Sequence, residues 1–468
     1  MAIKKVDKYK KLASDTVIFA IGTFSSKLLV YFLMPLYTKV LTTAQYGTVD
    51  LLVQAGNLIY PFVTAGIVSS VVRFGLDSAY KKDDVFSIGL RTIAIGLLVF
   101  LGICPLVSKI DVIEGYGMYI YLFVLCCCMR AVCSQFVRAK GYVRLYAFDG
   151  ILSTITTILF NVLFLVVLKM GIEGYILAMV CADFCSAVFL FTVAKLYRFI
   201  TFKRTTKGVW LEMIKYAVPL IPNTMFWWIT NVSDRYLVTA MISASANGLY
   251  AVSYKVPTLI MLVSNIFMDA WQLSAVSKMS DRSRERFFSK IFKSYGALMF
   301  TAGSGLILLA KLITKIMVQK EFYDSWQFIP FLVMSTVFSC LVTFLGSVYM
   351  LEKKSVNSFI TTATGAVINI ILNIVLIPKF GVNGAAFATF FSYFVVFAMR
   401  AIDTRRYLRI KMRVWALVLN TAILLAQTFV MIFEVKGWIA IEIACLVLMI
   451  AINLGDMIKR AIIVFREG

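Results

Sequence analysis

The sequence predicts an all-α integral membrane protein with about 14 transmembrane helices, arranged as two six-helix lobes followed by a C-terminal helix pair. The first observation is composition: of 468 residues, 61% are apolar and only 15% are charged. The second is that the apolar stretches are each about 20 residues long, which matches the hydrocarbon core of a bilayer. The third is an internal repeat. A soluble domain of this size carries more charge and a more periodic pattern.

The individual spans follow from these apolar stretches; the seventh is the least apolar and contains Pro219 and Pro222. No connection between spans is long enough to fold as a separate domain, which disfavours membrane enzymes whose catalytic residues lie on a large loop. The predicted spans are residues 14–38, 46–71, 85–107, 116–137, 147–168, 173–195, 214–235, 247–271, 289–311, 327–350, 356–377, 383–401, 413–433 and 437–458.

The basic residues indicate the orientation of the chain. With a cytoplasmic N-terminus, 35 of the 47 Lys and Arg residues fall in cytoplasmic segments, nine in external segments and three in spans. This asymmetry follows the positive-inside rule, so we expect both termini in the cytoplasm and the protein in the cytoplasmic (inner) membrane. The net charge of +23 is then a topology signal, and we expect no nucleic acid as a partner.

Few residue types for metal or redox chemistry are available. The chain has no histidine, the commonest metal ligand and general base. Its nine cysteines lie mainly inside spans, where they are expected to pack as small apolar residues. We therefore predict no metal site, no resident cofactor and no enzymatic activity; H+ or Na+ is the candidate coupling ion.

Two local patterns recur at a similar offset. Ala44-Gln45-Tyr46-Gly47 opens the second span, and Ala246-Asn247-Gly248-Leu249-Tyr250 opens the eighth. Lys-x-Gly-x-x-Gly joins spans five and six at 169–174 and spans eleven and twelve at 379–384. The repeat predicts lobes at 1–205 and 206–410, related by an axis along the membrane normal as in many transporters. Residues 411–468 remain as an appended pair.

Polar residues inside the spans follow helical spacing, which places them on single helix faces. These stripes lie on spans one, two, seven and eight, the leading pairs of the two halves. We expect them to line a water-filled cavity, although interhelical hydrogen bonding is an alternative. The cavity-lining candidates are Asp50, Gln54, Asn57, Asn223, Trp227, Asn231 and Asn265.

Four basic residues are candidates for binding an anionic substrate group. Lys27 and Lys255 lie deep inside spans one and eight, where a charge costs at least ~2.5 kcal/mol unless it is hydrated or paired. Two such lysines would make a cationic centre suited to phosphate. Arg130 and Arg73 lie toward the cytoplasmic ends of their spans, where contact with lipid headgroups is the alternative for Arg73.

Acidic residues inside spans are candidates for ion coupling and gating. Asp183 lies midway along span six and is the first candidate for H+ or Na+ coupling, with Asp50 as the second. A structural ion pair of Asp183 with Arg130 or Lys27 is the alternative. Asp234–Arg235, at the predicted external end of span seven, is the candidate external gate or an ordinary interfacial pair.

The opening of the chain resembles a known family. Leu33-Met34-Pro35-Leu36-Tyr37 and Tyr46-Gly47 are similar to the opening segment of the Wzx-type oligosaccharide flippases. These belong to the polysaccharide transporter family of the multidrug/oligosaccharidyl-lipid/polysaccharide exporter (MOP) superfamily. The resemblance covers nearly the whole chain, and it implies two lobes in a V shape that work by alternating access.

The resemblance also implies a substrate and partners. Wzx-type flippases move undecaprenyl-pyrophosphate-linked oligosaccharide units, such as the O-antigen units of lipopolysaccharide, to the external leaflet. Expected partners are therefore a polyprenyl-pyrophosphate-linked glycan and the lipid bilayer, with a glycan polymerase and glycosyltransferases as candidate protein partners.

The match to the related lipid II flippases is partial. Those proteins carry cavity-facing basic residues on helices one, two and eight; Lys27 and Lys255 match the first and eighth, whereas the second offers Asp50. Spans 13 and 14 resemble the extra pair that forms a lipid-tail groove in that branch. A lipid II-type precursor flippase, a MATE-like multidrug exporter and a membrane-embedded glycan-modifying enzyme remain the alternatives.

Overall fold

The structure, a computed structural model, describes residues 31, 33–109, 113–201, 206, 208–275, 281–352 and 354–467. These residues form α-helices joined by short 3-10 and π-helical turns, without any β-strand. The predicted all-α fold class is thereby confirmed.

The helices of the first half of the chain follow a helical stretch at 33–40. They are α1 (Thr43–Val63), α2 (Ile67–Leu76), α3 (Lys82–Val107), α4 (Gly117–Ala139), α5 (Val143–Asn161), α6 (Gly171–Val193) and α7 (Val209–Ala217). Those of the second half are α8 (Ile221–Met241), α9 (Ala244–Ser253), α10 (Thr258–Ala275), α11 (Asp281–Met317), α12 (Ile329–Leu351), α13 (Ser355–Asp403), α14 (Val414–Ile432) and α15 (Trp438–Glu467).

The helices have the length and composition of membrane spans. In the described part of the chain, eight segments are long and apolar enough to cross a bilayer, and α1 with α2 makes a ninth if this bent pair is one span. In segment Val143–Val167, only 17% of the most apolar 18-residue stretch is buried within the protein. It exposes Ile151, Ile155 and Leu159, which are spaced one helical turn apart. Such a stripe is stable in lipid rather than in water.

The chain divides into two compact units, Met1–Trp228 and Ile229–Gly468. The segment α7 packs against α2, where the Ser70 hydroxyl donates a 2.6 Å hydrogen bond to the Met213 carbonyl. The predicted division into lobes 1–205 and 206–410 and a pair 411–468 stays a prediction.

Each unit has its own apolar core. In the first unit, the rings of Phe86 and Phe136 lie 4.6 Å apart between α3 and α4, next to the buried Cys128. In the second unit, the strongest core element is α12, which lies in a segment whose most apolar window is 94% buried. Phe338 of α12 packs against rings from two neighbouring helices, including Phe300 of α11.

The predicted span 46–71 is bent in the structure. The helices α1 and α2 meet at 56° across a short break. Ala65 and Gly66 at this break have φ values of 45° and 66°, which end α1. At Gly66 the break also lies so close to α7 that an added Cβ would be 3.0 Å from the Ala217 carbonyl oxygen.

The first glycine of the Lys-x-Gly-x-x-Gly repeat has the same backbone conformation in both copies. Gly171 and Gly381 have φ values of 61° and 59°, a region that glycine adopts without a steric penalty. The second glycine of each copy lies against a carbonyl of the preceding helix end. A Cβ on Gly174 would be 3.1 Å from Phe164 O, and one on Gly384 would be 2.5 Å from Leu376 O. The sequence repeat therefore encodes a repeated tight turn.

The other repeated motif is a repeated helix start. Thr42 accepts a hydrogen bond from the Gln45 backbone N–H at the start of α1. Ser243 accepts the same bond from the Ala246 N–H at the start of α9. Hydroxyl N-caps satisfy a backbone donor that has no partner within the helix. The two halves thus begin equivalent helices in the same way.

Candidate functional site

A charge cluster forms where three helices of the first unit meet. The Nη1 atom of Arg130 on α4 lies 2.8 Å from Oδ1 of Asp183 on α6, and its Nη2 atom lies 3.7 Å from Oδ2 of Asp149 on α5. The Asp149 side chain is only 3% exposed, whereas that of Arg130 is 30% exposed. Ser186 of α6 donates a short hydrogen bond to the other oxygen of Asp149.

This arrangement contains the ion pair that the sequence offered as an alternative to a coupling role. Asp183 forms a structural ion pair with Arg130, and Asp149 joins it as a second carboxylate. One guanidinium therefore faces two carboxylates, so the cluster carries an excess negative charge when both are ionised. A proton or a monovalent cation could neutralise that excess, so the ion pair and the coupling role are compatible.

The polar stripe of the second predicted span lies on α1. Asp50 is 8% exposed, and Asn57 of the same helix is exposed. The Gln54 side chain accepts a 3.5 Å hydrogen bond from the Asn57 amide. The backbone carbonyl of Gln54 accepts one of 3.1 Å from the Trp228 indole N–H. Only part of the stripe is therefore exposed on the surface, and Asp50 is buried in the interior of the first unit.

The other basic candidate of the first unit, Arg73, lies in the last turn of α2. It is exposed, and its guanidinium carbon lies 4.6 Å from the centroid of the Tyr216 ring. A cation in the last turn of a helix is favoured by the helix dipole. The Tyr216 ring and the dipole of α2 therefore account for the position of Arg73.

A second polar cluster surrounds Asp234 of α8 in the second unit. Asp234 is fully buried, and its Oδ2 atom accepts hydrogen bonds from Tyr250 and Tyr254, both at 2.7 Å, and from Thr389 at 3.0 Å. The neighbouring Arg235 lies with its guanidinium carbon 4.4 Å from the centroid of the Tyr254 ring. The carboxylate is thus held by hydroxyl groups from α9, from the turn after it and from α13.

The cluster continues into α13 through two asparagines. Asn369 donates to the Thr389 hydroxyl at 3.2 Å, and Asn373 donates to the Asn369 side-chain oxygen at 3.0 Å. Asn373 is fully buried, and its own side-chain oxygen has no hydrogen-bond partner among the described residues. One turn before Asp234 on α8, Asn231 accepts a 2.8 Å bond from the Tyr393 hydroxyl. Carboxylate, amide and hydroxyl oxygens are therefore concentrated here.

Helix α8 extends six residues beyond the end predicted for span seven. The predicted span ends at Arg235, but α8 continues to Met241. The Asp-Arg pair does not end the helix because its polar groups are satisfied by buried neighbours instead of by water. The gate role of Asp234 and Arg235 stays a prediction.

Lys255 lies at a break within predicted span eight. Residues 254–257 form a turn between α9 and α10, and Lys255 is half-buried there. The Thr258 hydroxyl donates a 2.6 Å hydrogen bond to the Lys255 carbonyl, and Pro257 follows Lys255 by two residues. The lysine therefore sits on irregular backbone within an otherwise helical span. Non-helical backbone at membrane depth is tolerated where it lines a cavity or is buried in protein.

The remaining candidates have simpler surroundings. Asn223 and Trp227 are half-buried on α8, and Asn265 is exposed on α10. Lys27 lies outside the described residues. The pairing of Lys27 with Lys255 in a cationic centre stays a prediction.

Comparison with known proteins gives the family. The family described as "Polysaccharide biosynthesis protein" matches residues 12–272, more than half of the chain. This chain belongs to that family. It is also 22% identical over 420 residues to the "Uncharacterized membrane protein MJ1375" of Methanocaldococcus jannaschii, covering 82% of this chain and 96% of that protein.

Solved structures show which fold the family member adopts. A structure of "Lipid II flippase MurJ, inward closed conformation" covers 94% of this chain and all of its own, with a TM-score of 0.62 and 16% identity. An inward-facing "multidrug resistance MATE family transporter of the MOP superfamily" covers 83% of this chain and 98% of its own, with a TM-score of 0.64 and 12% identity. This family member therefore shares the fold of these two proteins.

Sequence reasoning missed several polar residues of this family member. Asp149 lies near the start of a predicted span and Thr389 inside another, and neither was named as a candidate. Arg400 was assigned to a cytoplasmic segment, yet it is 2% exposed at the end of α13. Its guanidinium donates to the Val342 carbonyl and to the hydroxyls of Thr361 and Thr362 at 2.9–3.0 Å. The signal available in the sequence for these residues was a carboxylate, or a series of hydroxyl and amide side chains, inside an apolar span.

Proposed function

We propose that this protein is a flippase that moves undecaprenyl-pyrophosphate-linked oligosaccharide units to the external leaflet of the cytoplasmic membrane by alternating access. Membership of the polysaccharide biosynthesis family carries this proposal. The MOP-type fold supports it, because that fold belongs to proteins named as a lipid II flippase and a multidrug transporter. The glycan served in this proposal is a surface polysaccharide such as an O-antigen.

The headgroup is bound in this proposal by cations inside the spans. Lys255 is the described candidate, since it is half-buried on a turn within the span. Lys27 is the candidate from sequence alone. An ammonium group at low dielectric attracts a pyrophosphate far more strongly than it does in water. Arg73, which lies against the Tyr216 ring, and Arg130, which is paired with Asp183, are the other two basic candidates.

Coupling to H+ or Na+ is the second part of the proposal. Asp183 and Asp50 are the candidates from sequence, and the cluster around Asp234 is added by its geometry. A buried carboxylate beside threonine and asparagine side-chain oxygens offers the hard oxygen ligands that such cations take. Thr389 and Asn373 supply those oxygens.

Transport is tested with purified protein in proteoliposomes that contain a lipid-linked oligosaccharide. The assay measures how much glycan becomes accessible to a membrane-impermeant lectin, and mass spectrometry checks that the lipid-linked glycan is chemically unchanged. A flippase changes only the leaflet, whereas an enzyme changes the covalent product. A rate no higher than in protein-free liposomes would refute the proposal.

The cationic site is tested with Lys255→Ala in the same assay. We expect at least a tenfold loss of flipping rate at normal protein levels, because about 1.4 kcal/mol of lost attraction is tenfold in affinity. The matched control is Lys379→Ala, since Lys379 is an exposed lysine at an interhelical turn. Equal rates for Lys255→Ala and wild type would remove Lys255 from the site.

The coupling site is tested with Asp234→Asn, which keeps the side-chain shape and removes the charge. Flipping driven by a Na+ or H+ gradient should lose its gradient dependence while the gradient-independent rate remains. Asp183→Asn is compared in parallel. Gradient dependence retained in Asp234→Asn and lost in Asp183→Asn would move the coupling site to the first unit.

One observation favours a lipid II-type precursor flippase as a second candidate. A structure named as a lipid II flippase covers 94% of this chain with a TM-score of 0.62. Competition in the flipping assay separates the two: lipid II should compete with the oligosaccharide substrate only if the protein accepts a peptide-bearing headgroup.

A further inference from the structure

A buried carboxyl group that the proposed transport does not use lies in the appended helix pair. Glu442 of α15 is fully buried, as are Gln427 of α14 and Ser304 of α11. The Gln427 amide nitrogen donates a 2.7 Å hydrogen bond to Oε2 of Glu442 and a longer one, of 3.4 Å, to the Ser304 carbonyl. Three helices therefore meet at this carboxyl group.

Three oxygen atoms at this junction lack a hydrogen-bond partner among the described residues. They are Oε1 of Glu442, Oε1 of Gln427 and Oγ of Ser304. Buried polar atoms are normally paired. The Ser304 hydroxyl has a proton of its own to donate, whereas the two Oε1 atoms can only accept when Glu442 is ionised, so the acid and the amide lack a donor between them. An ionised carboxylate cannot be that donor, because both of its oxygens only accept hydrogen bonds.

The charged surroundings do not stabilise an ionised Glu442. No ion pair to Glu442 forms within the part of the chain that the structure describes. Helix α14 contains no charged residue. The ammonium group of Lys311 on α11 lies 4.7 Å from the centroid of the Trp438 ring at the start of α15. Its ion-pair partner is Glu434, at 2.5 Å, and not Glu442. The other titratable side chains nearby are Cys445, one turn further along α15, and Lys436 in the preceding loop.

We propose that Glu442 is a proton-binding site, held as the neutral carboxylic acid between α11, α14 and α15. The proton on Oε1 supplies the missing donor, and the planar Gln427 amide offers both a donor, already bonded to Oε2, and an acceptor on Oε1. An acid–amide pair satisfies both groups without placing a charge in an apolar interior. The ligand is H+, and its loss weakens the contact of α14 and α15 with α11.

The protonation state is measured by infrared difference spectroscopy between wild type and Glu442→Gln in lipid nanodiscs at neutral pH. We expect a carbonyl band of a protonated carboxylic acid in wild type that is absent in Glu442→Gln and shifts in D2O. Glu434→Gln is the matched control and should keep the band, because Glu434 is exposed and paired with Lys311. A difference spectrum with carboxylate bands only would overturn the proposal.

A second measurement separates a proton from a metal cation. The thermal midpoint of wild type should fall as the pH rises from neutral to alkaline, whereas that of Glu442→Gln should not depend on pH in that range. Replacing choline by Na+ should not move either midpoint. A Na+-dependent rise in wild type that Glu442→Gln lacks would overturn the proton assignment in favour of a sodium site.

A third variant covers the case in which Glu442→Gln does not fold. Gln427→Leu removes the amide and leaves the acid, so the carbonyl band of Glu442 should move to higher frequency as its hydrogen bonds are lost. An unmoved band would show that the acid and Gln427 do not interact, which also contradicts the proposal. None of these readouts requires transport, so the proton site can fail or stand independently of the flippase function.

Discussion

Replacing Arg130 by Met should destabilise the first unit strongly, because it leaves two carboxylates without their cation. Met is apolar, flexible and similar in length, so the substitution removes charge with little loss of packing. Asp149 is 3% exposed and Asp183 14%, so neither carboxylate can be rescued by water. Removing one partner of a buried ion pair typically costs ~3–5 kcal/mol.

The lower end of that range applies here. The Arg130 side chain is 30% exposed, and its 3.7 Å contact with Asp149 is long for an ion pair. We therefore expect a loss of ~3 kcal/mol in the free energy of unfolding, or roughly a hundredfold in the unfolding constant. The double variant Arg130→Met, Asp183→Asn should recover ~1–2 kcal/mol, because one of the two stranded charges is gone and Asp149 keeps its bond from Ser186.

The assay is denaturant unfolding of the purified protein in one detergent, with the double-mutant cycle completed by Asp183→Asn alone. Arg198→Met is the matched control, since Arg198 is an exposed arginine of the same unit. It should change stability by less than ~0.5 kcal/mol. A wild-type stability for Arg130→Met, or a double variant no more stable than Arg130→Met, would refute the buried-cluster reasoning.

Two other substitutions test the helix contacts and the repeat. Gly96→Ala should prevent folding, because the new Cβ would lie 1.9 Å from the Val63 carbonyl oxygen. Gly102→Ala on the same helix is the control and should be neutral, because its Cβ would meet nothing within 4 Å. Size-exclusion chromatography measures the fraction of monodisperse protein for both variants. Thr42→Ala and Ser243→Ala each remove one N-cap bond and should cost ~1 kcal/mol apiece in denaturant unfolding. A much larger loss at one of them would show that the two helix starts are not equivalent.

The helices and the repeat could be predicted because their causes are local. An apolar run of span length specifies a helix in a bilayer, where every backbone group must be paired within the segment. The glycines of Lys-x-Gly-x-x-Gly specify a turn because Gly171 and Gly381 need positive φ values. The bend after α1 was not predicted, since Ala65 adopts a positive φ that alanine does not signal.

The polar clusters could be predicted only in part because their partners are distant in sequence. The sequence analysis named a pair of Asp183 with Arg130 as one alternative, since both are charged residues inside predicted spans. Asp149 was missed because its partners lie on two other helices, and Thr389 because its bond to Asp234 joins residues 155 positions apart. Helix-face patterns identify which side of a helix is polar, but they do not identify which helix that side meets.

The two units hold their buried carboxylates through different direct contacts, and this difference bears on the choice of coupling site. In the first unit, Asp183 and Asp149 share the guanidinium of Arg130. A proton or Na+ would have to compete with this side chain, which is always charged. In the second unit, Asp234 also has a cation beside it, Arg235, but its Oδ2 is held by three hydroxyl groups, which can rotate to make room for a cation or a proton. A site that must load and release an ion in every cycle needs such adaptable ligands, whereas a fixed ion pair is better suited to holding helices together. The Asp234 cluster is therefore the stronger coupling candidate, even though the sequence alone favoured Asp183.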